Sequence, residues 1–151
     1  MNEPSYPFLI SNDALDYQFE SVSEQRTINK AIQFTPFPDN AILYNLALGD
    51  LQPDGTLSDS VVSNNHDMNR VMATVFQALL TFFEHYPSKL VYFQGSDGEG
   101  IRTRLYRILI ARQLDQATDL FAIYGRRANN SVEEFEPNQD YTGFIFQRKS
   151  S

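Results

Sequence analysis

Three features of this 151-residue chain predict an α+β fold. The first half is a succession of alternating strands, one long amphipathic helix sits mid-chain, and a strand–loop–helix unit then leads into two further strands. Runs of strands ahead of helices favour a mainly antiparallel sheet. The expected architecture is a sheet of roughly five to seven strands with two helices packed on one face. Residues 1–14 read as an N-terminal arm, 15–146 as a single α+β domain and 147–151 as a C-terminal tail.

The strands follow from a two-residue rhythm. Tyr6, Phe8 and Ile10 alternate and suggest an edge strand within the arm. Leu15, Tyr17 and Phe19 begin the first clear strand, which ends near Ser23. Ile28, Lys30, Ile32 and Phe34 continue the rhythm until Pro36 and Pro38. The more apolar run from Ala41 to Asp50 predicts a central strand, Pro53-Asp54-Gly55 a turn, and Leu57 to Val62 a further strand.

The strongest helical pattern follows. Met68, Val71, Met72, Val75, Phe76, Leu79, Phe83 and Tyr86 recur at spacings of three and four. Asn64, Asn65 or Asp67 can cap its start, and Pro87 ends it. Leu90–Phe93 reads as a short buried strand. A second helix is expected from near Gly100 to about Gln116, with Ile101, Leu105, Ile108 and Leu109 facing inward. Strands at 121–125 and 142–146 flank a polar, irregular stretch.

Length and composition bound the function. A chain of this size with 42% apolar residues, 12 Phe and 8 Tyr can bury a core without staples. No apolar run approaches the roughly 20 residues of a membrane helix, and Met1-Asn2-Glu3-Pro4 shows no secretory signal, so the expected location is cytoplasmic. The absence of cysteine excludes disulfides, thiolate nucleophiles and cysteine metal sites. A net charge of -7 disfavours nucleic acid as a partner.

Local charge runs the other way in one place. Arg102, Arg104, Arg107 and Arg112 are four of the 12 basic residues, and no acid lies between Glu99 and Asp115. They follow a loop holding Gly95, Gly98 and Gly100. A loop that opens a helix gathers unpaired N–H groups at the positive end of a dipole and can hold an anion. The candidate ligand-binding residues are therefore Gly95, Ser96, Arg102, Arg104, Tyr106 and Arg107. As a solvated face, the same arginines would instead pair with Asp97, Glu99, Asp115 or acidic loops. Ile101-Arg102 replaces the Lys-Ser/Thr of a phosphate-binding loop, and the glycine spacing fails the dinucleotide fingerprint.

No other chemistry is complete. His66 and His85 stand at opposite ends of the predicted long helix and cannot share a metal. Ser96 lacks a histidine partner, and no nucleophile elbow is present. Asp50, Asp54 and Asp59 lack calcium-loop spacing. No metal, cofactor or catalytic set is predicted.

The stretches Tyr44-Asn45-Leu46-Ala47-Leu48-Gly49-Asp50, Asn64-Asn65-His66-Asp67 running into Val71-Met72-Ala73-Thr74-Val75, and Gly95-Ser96 followed by Arg102-Thr103-Arg104-Leu105-Tyr106 resemble a family of uncharacterised bacterial, Bacteroidetes-type proteins of about this length. The resemblance covers roughly residues 15 to 146. It implies a bacterial origin and a domain of unknown function, and adds no mechanism. The expected role is a non-enzymatic protein-interaction module, partnered by a second copy or another bacterial protein. The alternative is binding of a phosphorylated ligand or nucleic acid at Gly95–Arg107.

Overall fold

A computed structural model of the protein describes residues 4–58, 66–95 and 101–149. The fold is α+β. Its single mixed sheet runs in the order β1-β2-β3-β4-β6-β9-β7-β8, with β5 pairing β4 off that path. The strands are β1 (Leu9–Ile10), β2 (Asp16–Val22), β3 (Thr27–Phe37), β4 (Asn40–Leu51), β5 (Leu57–Ser58), β6 (Leu90–Phe93), β7 (Phe121–Arg126), β8 (Val132–Glu134) and β9 (Gly143–Arg148). All pairings are antiparallel except β4 with β6. The helices are α1 (Met68–His85), α2 (Ile101–Arg112) and α3 (Leu114–Leu120).

Among the described residues, nine strands and three helices exceed the expected counts of five to seven and two. β1 and β5 fall within segments expected as strands but are only two residues long, and β8, three residues long, was not expected because it is too short to display a period. The additional helix arises at Gln113. Its N–H reaches back to Ile110 O at 3.1 Å, one residue short of the helical step, and its buried side chain donates to Asn69 O on α1 at 2.9 Å. That anchor divides the expected long helix into α2 and α3.

Alternation places Tyr17, Phe19 and Ser21 of β2 on one face of the sheet and Gln18, Glu20 and Val22 on the other. The register carries the inner face on through Ile32 and Phe34 of β3, Leu46 and Leu48 of β4, Val91 and Phe93 of β6, Phe144 and Phe146 of β9, and Phe121 and Ile123 of β7. All three helices pack on this face and share its core. Phe82 of α1 stacks on Phe34 at 4.4 Å, Phe76 meets Phe121 and Phe146, and Tyr106 of α2 stacks on Phe93 at 4.4 Å.

The segment ahead of β2 also joins the core. Tyr6 is 5% exposed, and its N–H donates to Thr74 Oγ1 on α1 at 2.9 Å. Of the edge strand expected from Tyr6 to Ile10, only Leu9 and Ile10 pair with β2. The inward side of α2 is turned from that expected. Arg102, Thr103, Tyr106, Leu109 and Ile110 are buried, whereas Ile108 is 39% exposed. Stacking of Tyr106 on Phe93 sets that rotation. Of the strand expected from Leu57 to Val62, Leu57 and Ser58 are seen as β5, and the rest lies outside the described residues. No helix among the described residues is long and apolar enough to cross a membrane.

Candidate functional site

The structure brings some of the sequence-predicted residues together and separates others. Ser96 lies outside the described residues. Gly95 presses on the first turn of α2: its N–H donates to Thr103 Oγ1 at 2.8 Å, and a Cβ there would fall 2.3 Å from Arg102 Cβ. Arg102 and Tyr106 point inward, 7% and 3% exposed, and line one small cavity with Lys30, Gly49 and Asp50. Arg104 is exposed on the far side of α2. Arg107 turns to the loop before β9, donating to Gln139 O at 2.8 Å and to Asp140 Oδ1 at 3.4 Å. Gly95, Arg102 and Tyr106 thus form one group, and Arg104 and Arg107 stand apart from it.

A buried polar layer near these residues escaped the sequence reading. Lys30 and Asp50 sit opposite one another on β3 and β4, with Nζ 2.6 Å from Oδ1 and both residues buried. Each occupies a position where the alternation calls for an apolar side chain, and that is the signal that could have found them. At the start of α1, Asp67 holds the N-cap place without capping the helix. Its Oδ2 instead accepts from Tyr6 OH at 2.5 Å and from Ser21 Oγ at 2.5 Å. Burial, then the Asp67 carboxylate, raise the Tyr6 pKa, so the phenol keeps its proton and acts as a donor. The Arg70 guanidinium lies 3.9 Å from the Tyr6 ring centroid.

Three cavities surround this layer. One of about 20 Å³ lies beside Lys30 and Asp50, one of about 500 Å³ runs between α1 and α2 past His66, Arg70 and Arg112, and one of about 760 Å³ lies beside β1 and β2. Lys30, Met68 and Arg70 are each shared by two of them. Asp67 Oδ1, Asn69 Oδ1 and Arg70 Nε are buried without a hydrogen-bond partner among the described residues. No cluster of three metal-ligating side chains occurs among the described residues. The layer is built of hydrogen-bonding and charged groups.

Among the described residues, the other side of the sheet carries no helix. Register places Leu43, Asn45 and Ala47 of β4, Leu90 and Tyr92 of β6, Ile145 and Gln147 of β9, and Ala122 and Tyr124 of β7 side by side there. None of these nine is charged, whereas Arg126 of β7, whose guanidinium lies over the Tyr92 ring, and Glu134 of β8, opposite Tyr124, put charge at the margin of the same face. Tyr92 is sunk to 8% exposure, with its hydroxyl bonded to Gln94 Oε1 at 2.7 Å and reached by Arg126 Nη1 at 3.3 Å. Leu43, Leu90, Ala122, Tyr124 and Ile145 are half-buried. A solvated sheet face normally carries charged and polar side chains.

A family model described as "Family of unknown function (DUF6934)" matches residues 2–149. No curated protein and no solved structure matches the chain. With nearly its whole length inside that match, the chain belongs to the DUF6934 family, whose function is unknown.

Proposed function

We propose that the protein is a non-enzymatic interaction module that binds a protein partner through the helix-free face of its sheet. One observation carries this reading: the apolar and aromatic surface running from Leu43 across Leu90 and Ile145 to Tyr124 on four neighbouring strands, with charge only at its margin in Arg126 and Glu134. Interface centres are depleted of charge and enriched in aromatic side chains. In a chain of net charge -7 it is also where two copies meet with least repulsion. A second copy, sheet against sheet, is therefore the first partner to test.

The experiment is sedimentation velocity of wild type and of Tyr124→Glu/Ile145→Glu, with circular dichroism to verify folding. The expected result is a concentration-dependent dimer for wild type and a folded monomer for the variant. A wild-type protein that remains monomeric at millimolar concentration overturns the second-copy reading.

A phosphorylated ligand at Gly95–Arg107 is the second reading. It is favoured by the contact of Gly95 with the start of α2, where Arg102 and Lys30 share a cavity. Burial of Tyr106 and engagement of Arg107 by Gln139 and Asp140 weigh against it. Titration with inorganic phosphate should shift the Gly95 and Thr103 amide resonances. Unmoved resonances reject it. The acidic charge weighs against nucleic acid at the same place.

A further inference from the structure

A cavity of about 760 Å³ lies where the N-terminal segment parts from the edge of β2. The parting has a definite cause. Leu9 pairs with Gln18 and Ile10 with Tyr17, so continuing the register would set Pro7 opposite Glu20. Proline has no N–H to give the ladder. β1 stops at Leu9, and the chain dives to Tyr6, which is held by Thr74 and stacked on Phe19.

The hydrogen-bond alternation shows which groups this leaves behind. Leu15 O bonds Phe34 N on the β3 side, whereas Asp16 O bonds Ser11 N on the β1 side. Even-numbered residues of β2 therefore aim their main chain at β1. Val22 confirms the pattern, because its N–H and C=O both lie within reach of Tyr6 OH, at 3.2 and 3.4 Å. Glu20 stands between Gln18 and Val22. Its N–H and C=O face the cavity, and no partner on the β1 side is found for them among the described residues.

The walls match that opening. Leu9 and Val22 line the cavity and are 77% and 52% exposed, two of the most exposed large apolar side chains among the described residues. Leu51 continues the apolar wall, and Gln18 and Asn29 add polar groups. Gln18 to Val22 spans about 13 Å at ~3.3 Å per residue, room for three or four extended residues.

We infer that this cavity is a peptide-binding groove. An extended segment of a partner protein adds beside β2, exchanges two main-chain hydrogen bonds with Glu20, and lays an apolar side chain between Leu9, Val22 and Leu51. This is strand addition at a gap that the described residues leave open. The groove lies at the β1 margin of the sheet, away from the β4–β7 surface proposed above, and does not depend on it.

The test uses the full chain and a blocked pentapeptide of alternating valine and threonine, followed by amide NMR. The expected result is a downfield shift and slowed hydrogen exchange at Glu20. An ester in place of the central peptide N–H should weaken binding by about ten-fold, the loss of one good hydrogen bond. Val22→Asp, at an exposed position, should weaken it without unfolding the protein, and Tyr124→Glu/Ile145→Glu should leave it unchanged. A Glu20 amide unmoved at millimolar peptide overturns the inference, as does equal binding of the ester. A Glu20 shift that follows protein concentration alone overturns the choice of partner, marking self-pairing instead.

Discussion

The Lys30 ammonium lies 2.6 Å from Asp50 Oδ1, and the two residues face each other across β3 and β4 with their side chains turned into the core. Such a pair stabilises little in net terms, because desolvation offsets attraction, yet removing one partner strands the other charge. Asp50→Asn should therefore cost about 3–5 kcal/mol in urea unfolding. Lys30→Met/Asp50→Leu should lie closer to wild type than Asp50→Asn. A double variant less stable than the single one would refute this.

Tyr17 carries the opposite lesson. Its hydroxyl is buried with no hydrogen-bond partner among the described residues, and burial drives its pKa far above the ordinary tyrosine value of 10.0. Tyr17→Phe removes an unsatisfied polar group and should be neutral or stabilising by up to about 1 kcal/mol. Because the folded pKa is raised, this tyrosine's contribution is intact below pH 10 and is lost as alkali ionises it in the unfolded chain. Wild type should thus lose stability more steeply above pH 10 than Tyr17→Phe, as read by unfolding at stepped pH.

Gly95 and Gly55 should respond differently to substitution. A Cβ at Gly95 meets Arg102 Cβ at 2.3 Å and Thr103 N at 2.8 Å, atoms held by the helix backbone. Gly95→Ala should cost about 1–3 kcal/mol through overpacking, and Gly95→Asn at least as much. Gly55 has open space around it but a φ of 89°. Gly55→Ala should cost about 1 kcal/mol, and Gly55→Asn less, since asparagine tolerates the left-handed region. Thermal melts of the four variants distinguish steric from conformational demand.

Phe82 joins α1 to the sheet. Its fully buried ring lies 4.4 Å from Phe34, 4.9 Å from Tyr86, 5.2 Å from Tyr44 and 5.4 Å from Phe83. Phe82→Ala should cost about 3–5 kcal/mol in chemical denaturation, and Phe82→Leu distinctly less. Similar losses for the two would show that ring volume at this position is not what the core depends on.

Periodicity determined β2 and the buried stripe of α1, apolar runs marked β4 and β6, and the cap residues and Pro87 set the bounds of α1, which together fixed the α+β class. Local pattern also placed Gly95 and Arg102 near one another, since a strand–loop–helix unit is close in the chain. Tertiary structure decided the rest. Lys30 reaches Asp50, Tyr6 reaches Asp67 and Gln113 reaches Asn69 across 20, 61 and 44 residues, and no local rule encodes those encounters. The rotation of α2 was settled by a ring stacked on Phe93, and β1 was cut short by the register that set Pro7 against Glu20. Side-chain period reports which residues seek burial. Only the assembled sheet determines what they meet there.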